Sequence, residues 1–116
     1  MKPQGIAPDA RTELFGGTGT VLVWDLLGAP PISPFAAVLA CELEPGGSVG
    51  DHVQEHFPEI VVCVSGDGEA RVNGVAHAMQ AGTVVQLQLG HTLAFTNHSS
   101  AEPLSYLIIK AAGAQR

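Results

Sequence analysis

The sequence is short of positive charge. Lys and Arg number 5 against 11 Asp and Glu, which gives a formal net charge of -6. A chain without a Lys/Arg cluster lacks the electrostatic footprint that binds phosphate backbones or anionic lipid. We therefore expect neither nucleic acid nor a membrane surface as a partner, and small molecules and other proteins remain.

Cysteine is scarce as well. Cys41 and Cys63 are the 2 cysteines of the chain, and they lie too far apart in sequence for a disulfide framework or a thiolate zinc site. Both sit in apolar runs with the character of strands, where a reduced thiol behaves as a small hydrophobic side chain. The sequence predicts two buried, reduced thiols.

Long apolar runs and long helical periods are absent from the sequence. No apolar run approaches the roughly 18 residues that a spanning helix needs, and the N-terminus lacks the apolar segment of a signal peptide. We therefore expect a cytoplasmic protein. An amphipathic period of 3.6 residues does not persist beyond a turn or two, which disfavours helices as the main element.

What the sequence does contain fits one globular domain. Its 116 residues are 46% apolar and 14% charged, and 14 Gly and 8 Pro indicate frequent turns. Prolines at positions 3 and 8 and the pair Gly16-Gly17 favour an extended or irregular N-terminal arm over residues 1–19. We place a barrel at residues 20–110 and a loose tail at residues 111–116.

Short runs with alternating apolar residues predict strands throughout the barrel segment. Residues 35–44 alternate well, and Asn73-Gly74 is typical of a two-residue type I′ hairpin turn. About eight to ten such strands, separated by Gly, Pro and Asn turns, predict an all-β sandwich or barrel of the jelly-roll kind.

The stretch from Gly46 to Gly66 carries the strongest chemical signal. It holds two of the 5 histidines, and strand alternation would point His52, Gln54 and His56 to one face. Glu59 begins a second run that would return beside the first. Imidazole and carboxylate groups on one face indicate a metal site or a polar ligand pocket. A solvated polar strand face is the alternative interpretation.

The run after Glu59 also predicts a surface that needs a cover. If Glu59 faces the barrel interior, Val61 and Cys63 do so too, and the three β-branched residues between and beyond them face outward. Three outward aliphatic side chains in a row call for a partner surface. A second copy of the chain is the expected cover, because twofold dimers are the commonest assembly.

Two spacings in the sequence resemble the motifs of small single-domain cupins. The first motif reads Gly, five residues, His-x-His, three or four residues, Glu, six residues, Gly, and it is matched by Gly46, His52, Gln54, Glu59 and Gly66. The second reads Gly, five residues, Pro-x-Gly, two residues, His, three residues, Asn, and it is matched by Gly82, Gln88, Gly90, Leu93 and Asn97. The resemblance covers roughly residues 35–110 and implies a double-stranded β-helix, or jelly-roll barrel.

The resemblance also implies a metal site, from which this chain departs. Cupin metal sites use three His and one Glu to bind Fe, Mn, Ni, Zn or Cu. This chain keeps His52 and Glu59, but it has Gln54 and Leu93 where the family has histidines. A neutral amide is a weak ligand and Leu93 offers none.

A shifted metal site is one possible repair. His91 precedes Leu93 by two residues and would share its strand face, toward Gln54 and His56 on an antiparallel neighbour. The resulting hypothesis is a divalent Zn, Fe, Mn or Ni site. Its candidate ligands are His52, Gln54, His56, Glu59 and His91. The alternative is that His56 and His91 only rim a pocket.

With or without a metal, the barrel interior is expected to hold a ligand pocket. Its predicted lining is His52, Gln54, His56, Glu59, His91, Leu93 and Phe95, with Val61 and Cys63 alongside. Glu59 in apolar surroundings would have a raised pKa and would act as the catalytic proton acceptor. Two functions remain open: a metal-assisted enzyme acting on a small carbonyl, enol or aromatic substrate, and a metal-free binding or sensing module.

Overall fold

The computed structural model describes residues 2–28 and 30–112. A single 3₁₀ turn at Leu14–Gly16 accompanies the strands. The strands are β1 Asp9–Thr12, β2 Thr20–Asp25, β3 Phe35–Leu43, β4 Ser48–Val53, β5 Glu59–Ser65, β6 Gly68–Val72, β7 Val75–Met79, β8 Val84–Leu87, β9 Thr92–Asn97 and β10 Leu104–Ala111.

The strands form two antiparallel sheets. The larger sheet has the order β1-β2-β3-β10-β5-β8 and the smaller has the order β4-β9-β6-β7. Neighbours that are distant in sequence, such as β3 and β10, are typical of Greek-key connections. The prediction of an all-β jelly roll is confirmed.

Alternation along the strands places the core between the sheets. In β5, Glu59, Val61 and Cys63 are buried, whereas Ile60 and Val64 on the other face are exposed. This confirms the predicted facing of the strand, and both cysteines are buried free thiols as expected. The hairpin between β6 and β7 turns at Asn73 (φ 49) and Gly74 (φ 78), as a type I′ turn requires.

Asn97, the last residue of β9, holds the ends of several strands together. Its buried Nδ2 donates to the carbonyl oxygens of Leu43 at 3.1 Å, Glu44 at 3.1 Å and Glu102 at 2.9 Å, so one of its two N–H groups is shared between two acceptors. Its Oδ1 accepts from the backbone N–H of Ser99 at 2.9 Å. The second motif's Asn therefore has a structural role in this chain.

The N-terminal arm is folded onto the barrel. Strand β1 pairs with β2, and the turn at Leu14–Gly16 packs on β4. Close approach of the arm needs two glycines, because a Cβ on Gly50 would collide with the Phe15 carbonyl and one on Gly17 with the Ser48 carbonyl. The arm thus closes over one side of the barrel. Of the predicted tail, Ala111 ends β10 and residues 113–116 lie outside the described residues.

The central stretch departs from the sequence-based prediction after Val53. Strand β4 ends there, so Gln54 and His56 follow the strand instead of continuing its alternation. The Gln54 backbone bonds instead to the turn before β9, donating to the His91 carbonyl at 2.9 Å and accepting from Gly90 at 2.9 Å. Regular strand structure therefore stops at Val53, although His52, Gln54 and His56 still line one surface groove.

Within the described ranges, no helix combines the length and the apolar character needed to cross a bilayer.

Candidate ligand site

A cavity of about 120 Å³ lies between the two sheets under the N-terminal arm. Its wall is mostly aliphatic and aromatic, with charged and polar groups contributed by five strands. The lining residues are Arg11, Leu14, Phe15, Val21, Val23, Leu39, Cys41, Val49, His52, Glu59, Phe95, Tyr106, Ile108 and Lys110. A mostly apolar cavity with a few convergent polar groups is the usual form of a small-molecule site.

His52 on β4 is held in one orientation by two contacts. Its Nδ1 lies 3.1 Å from the carbonyl oxygen of Gly50, which can only accept, so Nδ1 carries the proton. Phe15 of the arm stacks on the imidazole with ring centroids 4.2 Å apart and an interplanar angle of 14°. Burial lowers the pKa of His52, which favours the neutral ring. Nε2 is then left with a lone pair that can accept a hydrogen bond.

Glu59 is the buried carboxylate of the cavity. As the first residue of β5 it faces inward and is 4% exposed. Burial raises the pKa of Glu59, and the Lys110 ammonium, with Nζ 3.8 Å from Oε2, partly opposes this effect. A carboxylate in such surroundings is a better proton acceptor than one in water.

Cys41 and Tyr106 are neighbours across β3 and β10 and also line the cavity. Burial raises the pKa of the Cys41 thiol to about 12 and raises that of Tyr106 as well. The positive charge of Arg11 lowers the Cys41 pKa, but its effect is smaller than that of burial. Both groups are therefore protonated at neutral pH, and Cys41 is unsuited to nucleophilic attack.

The structure brings together only part of the predicted pocket. His52, Glu59 and Phe95 line the cavity, whereas Leu93, directly opposite His52 in the β4–β9 pair, is fully buried core. Gln54 and His56 line a separate surface groove, which shares Phe15, His52 and Lys110 with the cavity. The stack of Phe15 on His52 thus lies where groove and cavity adjoin.

His91 and Gln54 are directed elsewhere by local bonds. The Nδ1 of His91 accepts from the backbone N–H of Gln88 at 3.3 Å, and the ring lines a groove with Ile60 and Ile109. Gln54 is 5% exposed, and its Nε2 is a buried donor with no partner among the described residues. A buried donor without a hydrogen-bond partner destabilises the folded state by about 1–3 kcal/mol.

The residues present do not fit a divalent metal of the kind that cupins hold. In the residues that the structure describes, no three His, Cys, Asp or Glu side chains converge on a point that could hold an ion. The predicted ligands are divided among three places: His52 and Glu59 line the cavity, Gln54 and His56 line the adjoining groove with His52, and His91 lines another groove with Glu59. Leu93 supplies no ligand in their place.

Sequence reasoning missed the contribution of the arm. Arg11, Leu14 and Phe15 line the cavity, and so does Lys110 of β10. The pair Gly16-Gly17 was the available signal, because paired glycines permit close backbone approach as well as a turn. Nothing in the local pattern of residues 9–15 indicates which surface they cover.

A model of the cupin domain family matches residues 39–110 of the chain. The fold is similar to that of a predicted oxalate decarboxylase from Thermotoga maritima, with a TM-score of 0.84 and 24% identity over 97% of both chains. It is also similar to a cupin-2 domain from Rhodospirillum rubrum, with a TM-score of 0.78 and 17% identity over 100% of this chain and 76% of that one. A cupin 2 conserved barrel domain protein from Rhodopseudomonas palustris matches with a TM-score of 0.73 and 17% identity over 97% and 74% of the two chains. No curated protein matches the sequence. At these identities the similar structures establish the fold alone.

Proposed function

The chain belongs to the family of cupin domains, and from that premise we propose that it binds a small, mostly apolar organic molecule in its barrel cavity without a resident metal ion. The observation that carries the proposal is the cavity itself: it keeps His52 and Glu59 of the family positions but combines them with an apolar wall instead of further ligands. Its polar groups are few and fixed, which suits recognition of one head group.

The size of the cavity limits the ligand. Its volume of about 120 Å³ is somewhat below the roughly 150 Å³ of an engineered apolar cavity that takes up benzene. The hydrocarbon part of the expected ligand is therefore no larger than a single ring or a short branched chain, and its polar group lies among the charged groups of the lining. In that lining Glu59 and the Nε2 of His52 can accept hydrogen bonds, and Arg11 and Lys110 can donate them.

A titration followed by amide chemical shifts tests this proposal. We expect benzyl alcohol to shift resonances of the cavity wall, and Leu39→Phe, which fills the cavity, to abolish the shifts. The matched control is Val75→Phe at an exposed position of β7, in the hairpin that β7 forms with β6. Binding that survives Leu39→Phe, or no binding of any small apolar molecule, would refute the proposal.

Metal analysis tests the proposal that the cavity holds no resident metal ion. Protein purified without chelator or a nickel column is expected to carry far less than one equivalent of Fe, Mn, Zn or Ni. Close to one equivalent per chain would restore the metal-assisted enzyme as the better hypothesis.

The description of the T. maritima neighbour as a predicted oxalate decarboxylase is not carried over, because a mostly apolar cavity containing Glu59 disfavours a small dianion.

Proton transfer is a second candidate function, and the buried state of Glu59 favours it. A carboxylate with a raised pKa next to an apolar wall can take a proton from the carbon beside a carbonyl group, while the protonated Cys41 or Tyr106 could donate to the enolate oxygen. Solvent deuterium incorporation into a small ketone such as acetophenone measures this activity. Glu59→Gln should abolish it and Glu69→Gln, outside the cavity, should not; equal activity in both variants would remove Glu59 from the reaction.

We also propose that the chain forms a homodimer through the outer face of the larger sheet. Two aliphatic rows cross this face in register, one through Val38, Ile109 and Ile60 and the other through Leu107, Val62 and Val84. Ala40, at the end of the second row, is already buried. No charged residue interrupts either row. A second copy complements such a surface because twofold symmetry pairs identical apolar patches.

A further inference from the structure

The N-terminal arm places a cation at the cavity. Arg11 lies on β1 and lines the cavity together with Lys110 at the far end of β10. Arg11 precedes residues 39–110, to which the family model applies. The match to the family model therefore does not account for the position of Arg11 at the cavity.

Arg11 keeps donors that its ion pair does not use. Its Nε bonds to Oδ2 of Asp9 at 3.0 Å, and its side chain is 49% exposed. This contact does not involve the two terminal nitrogens, which form the fork that binds a carboxylate through two parallel hydrogen bonds.

The charges on the cavity wall favour an anion. Arg11 and Lys110 are the basic residues of the lining, and Glu59 is its one carboxylic acid. His52 is neutral when its Nδ1 proton is held by the Gly50 carbonyl and its pKa is lowered. Within the lining one cation is thus in excess, while Asp9, the partner of the Arg11 Nε, lies outside it. A ligand with a single negative charge would bind to the terminal nitrogens of Arg11 that this ion pair does not use. The remaining wall is apolar, so the rest of that ligand must be apolar too.

We propose that the arm completes the ligand site and that Arg11, together with Lys110, selects small apolar monocarboxylates. This inference rests on the proposed function, because it assigns the head group of the molecule bound in the cavity. The carboxylate lies at the Arg11 end, and the hydrocarbon body contacts residues such as Val23, Leu39 and Phe95. Lys110 is shared between the ligand and Glu59.

Pairs of ligands that differ only in charge test the proposal by calorimetry. Benzoate and benzamide have nearly the same shape, and isovalerate and isovaleramide form a smaller pair. We expect the wild-type protein to bind the better-fitting acid about tenfold more tightly than its amide, since charge-assisted hydrogen bonds are about twice as strong as neutral ones. Raising the salt concentration should weaken binding of the acid and leave the amide unchanged.

Arg11→Gln should weaken binding of the acid by about threefold to tenfold, the range expected for a partly exposed ion pair. Binding of the amide should not change. Arg71→Gln is a closely matched control, because Arg71 is 50% exposed and its Nε pairs with Glu69 at 2.9 Å, but it lies on β6 away from the cavity. The salt dependence of the wild-type protein gives the same answer without any variant.

Equal wild-type affinity for an acid and its amide would overturn the selection of monocarboxylates and leave the proposed cavity binding intact. An equal loss of both ligands in Arg11→Gln would also overturn it, because the arm would then act only on the shape of the site. If benzyl alcohol, the amides and the acids all fail to bind, the proposed function fails as well.

Discussion

The ring of Phe15 lies flat on the imidazole of His52, with centroids 4.2 Å apart. One residue belongs to the N-terminal arm and the other to β4, so the stack fastens the arm to the barrel at the cavity. Phe15 adopts a left-handed backbone conformation (φ 52), as does Glu13 (φ 53). Each such non-glycine residue costs on the order of 1 kcal/mol or more, and contacts of the arm must offset it.

Substitution of Gly50 should detach the arm. In Gly50→Ala the new Cβ collides with the Phe15 carbonyl, so the arm must move and the stack on His52 is lost. We expect trypsin to cleave after Arg11 faster in this variant than in the wild-type protein, because cleavage needs a locally released chain. Ala78→Val, which adds bulk at an exposed position of β7, is the control. An unchanged cleavage rate in Gly50→Ala would mean that the arm is not held at this point.

Removal of the Asn97 side chain should destabilise the fold strongly. Asn97→Ala deletes the two N–H donors that three carbonyl oxygens share and one accepted bond, at a buried site. We expect a loss of about 3 kcal/mol in the free energy of unfolding, measured by urea denaturation, since several bonds are lost at once and the released Leu43 carbonyl belongs to a fully buried residue. Gln86→Ala on the exposed face of β8 should change it by less than about 0.5 kcal/mol. A similar small effect at Asn97 would contradict the structural role of that residue.

Glu59 should make the protein less stable as the pH rises. Its pKa is raised in the folded state above the ordinary value of 4.5, so the folded protein binds more protons than the unfolded chain between those two values. The unfolding free energy of the wild-type protein relative to that of Glu59→Gln is therefore highest below pH 4.5, and it falls as the pH rises through the folded pKa. Urea denaturation of both proteins across that range measures the difference, and a difference independent of pH would show that burial does not perturb Glu59.

His52 should act in the opposite direction. Its pKa is lowered below the ordinary value of 6.5, so the unfolded chain binds more protons in the window between the folded pKa and 6.5. Stability relative to His52→Gln should be full above pH 6.5 and decline as the pH falls through this window. The same denaturation series provides the measurement, with His77→Gln at an exposed position as the control. If the difference in unfolding free energy between the wild-type protein and His52→Gln varies with pH no more than the difference for His77→Gln, the His52 imidazole lies in water.

A charge on the outer face of the larger sheet should disrupt the proposed homodimer. Val62→Lys puts an ammonium into the second aliphatic row, where dimer formation would bury it without a partner. Light scattering is expected to show a dimer for the wild-type protein and a monomer or aggregate for this variant. Val75→Lys on the exposed β7 should remain dimeric. A monomeric wild-type protein would show that this face needs no second copy.

The residues 9–17 show most clearly what local pattern cannot predict. The prolines at positions 3 and 8 and the pair Gly16-Gly17 indicated an extended or irregular arm, and the structure has β1 and a 3₁₀ turn over residues 9–16. The pairing of β1 with β2 could have been proposed from the sequence, but the contact of Phe15 with His52 joins residues 37 positions apart across two sheets. Contacts of that range depend on how the whole barrel closes.

The sequence by itself determined the class of the fold, the inward faces of β3 and β5, the type I′ turn at Asn73-Gly74 and the burial of Glu59. These follow from a side-chain alternation of two residues and from local backbone preferences, which act within a few residues. Tertiary structure alone decided that β4 ends at Val53, that His56 and His91 do not line the cavity with His52, and that Arg11 and Phe15 do. The physical reason is that alternation applies only while a strand lasts, and where a strand ends is set by hydrogen bonds to distant segments such as the one between Gln54 and His91.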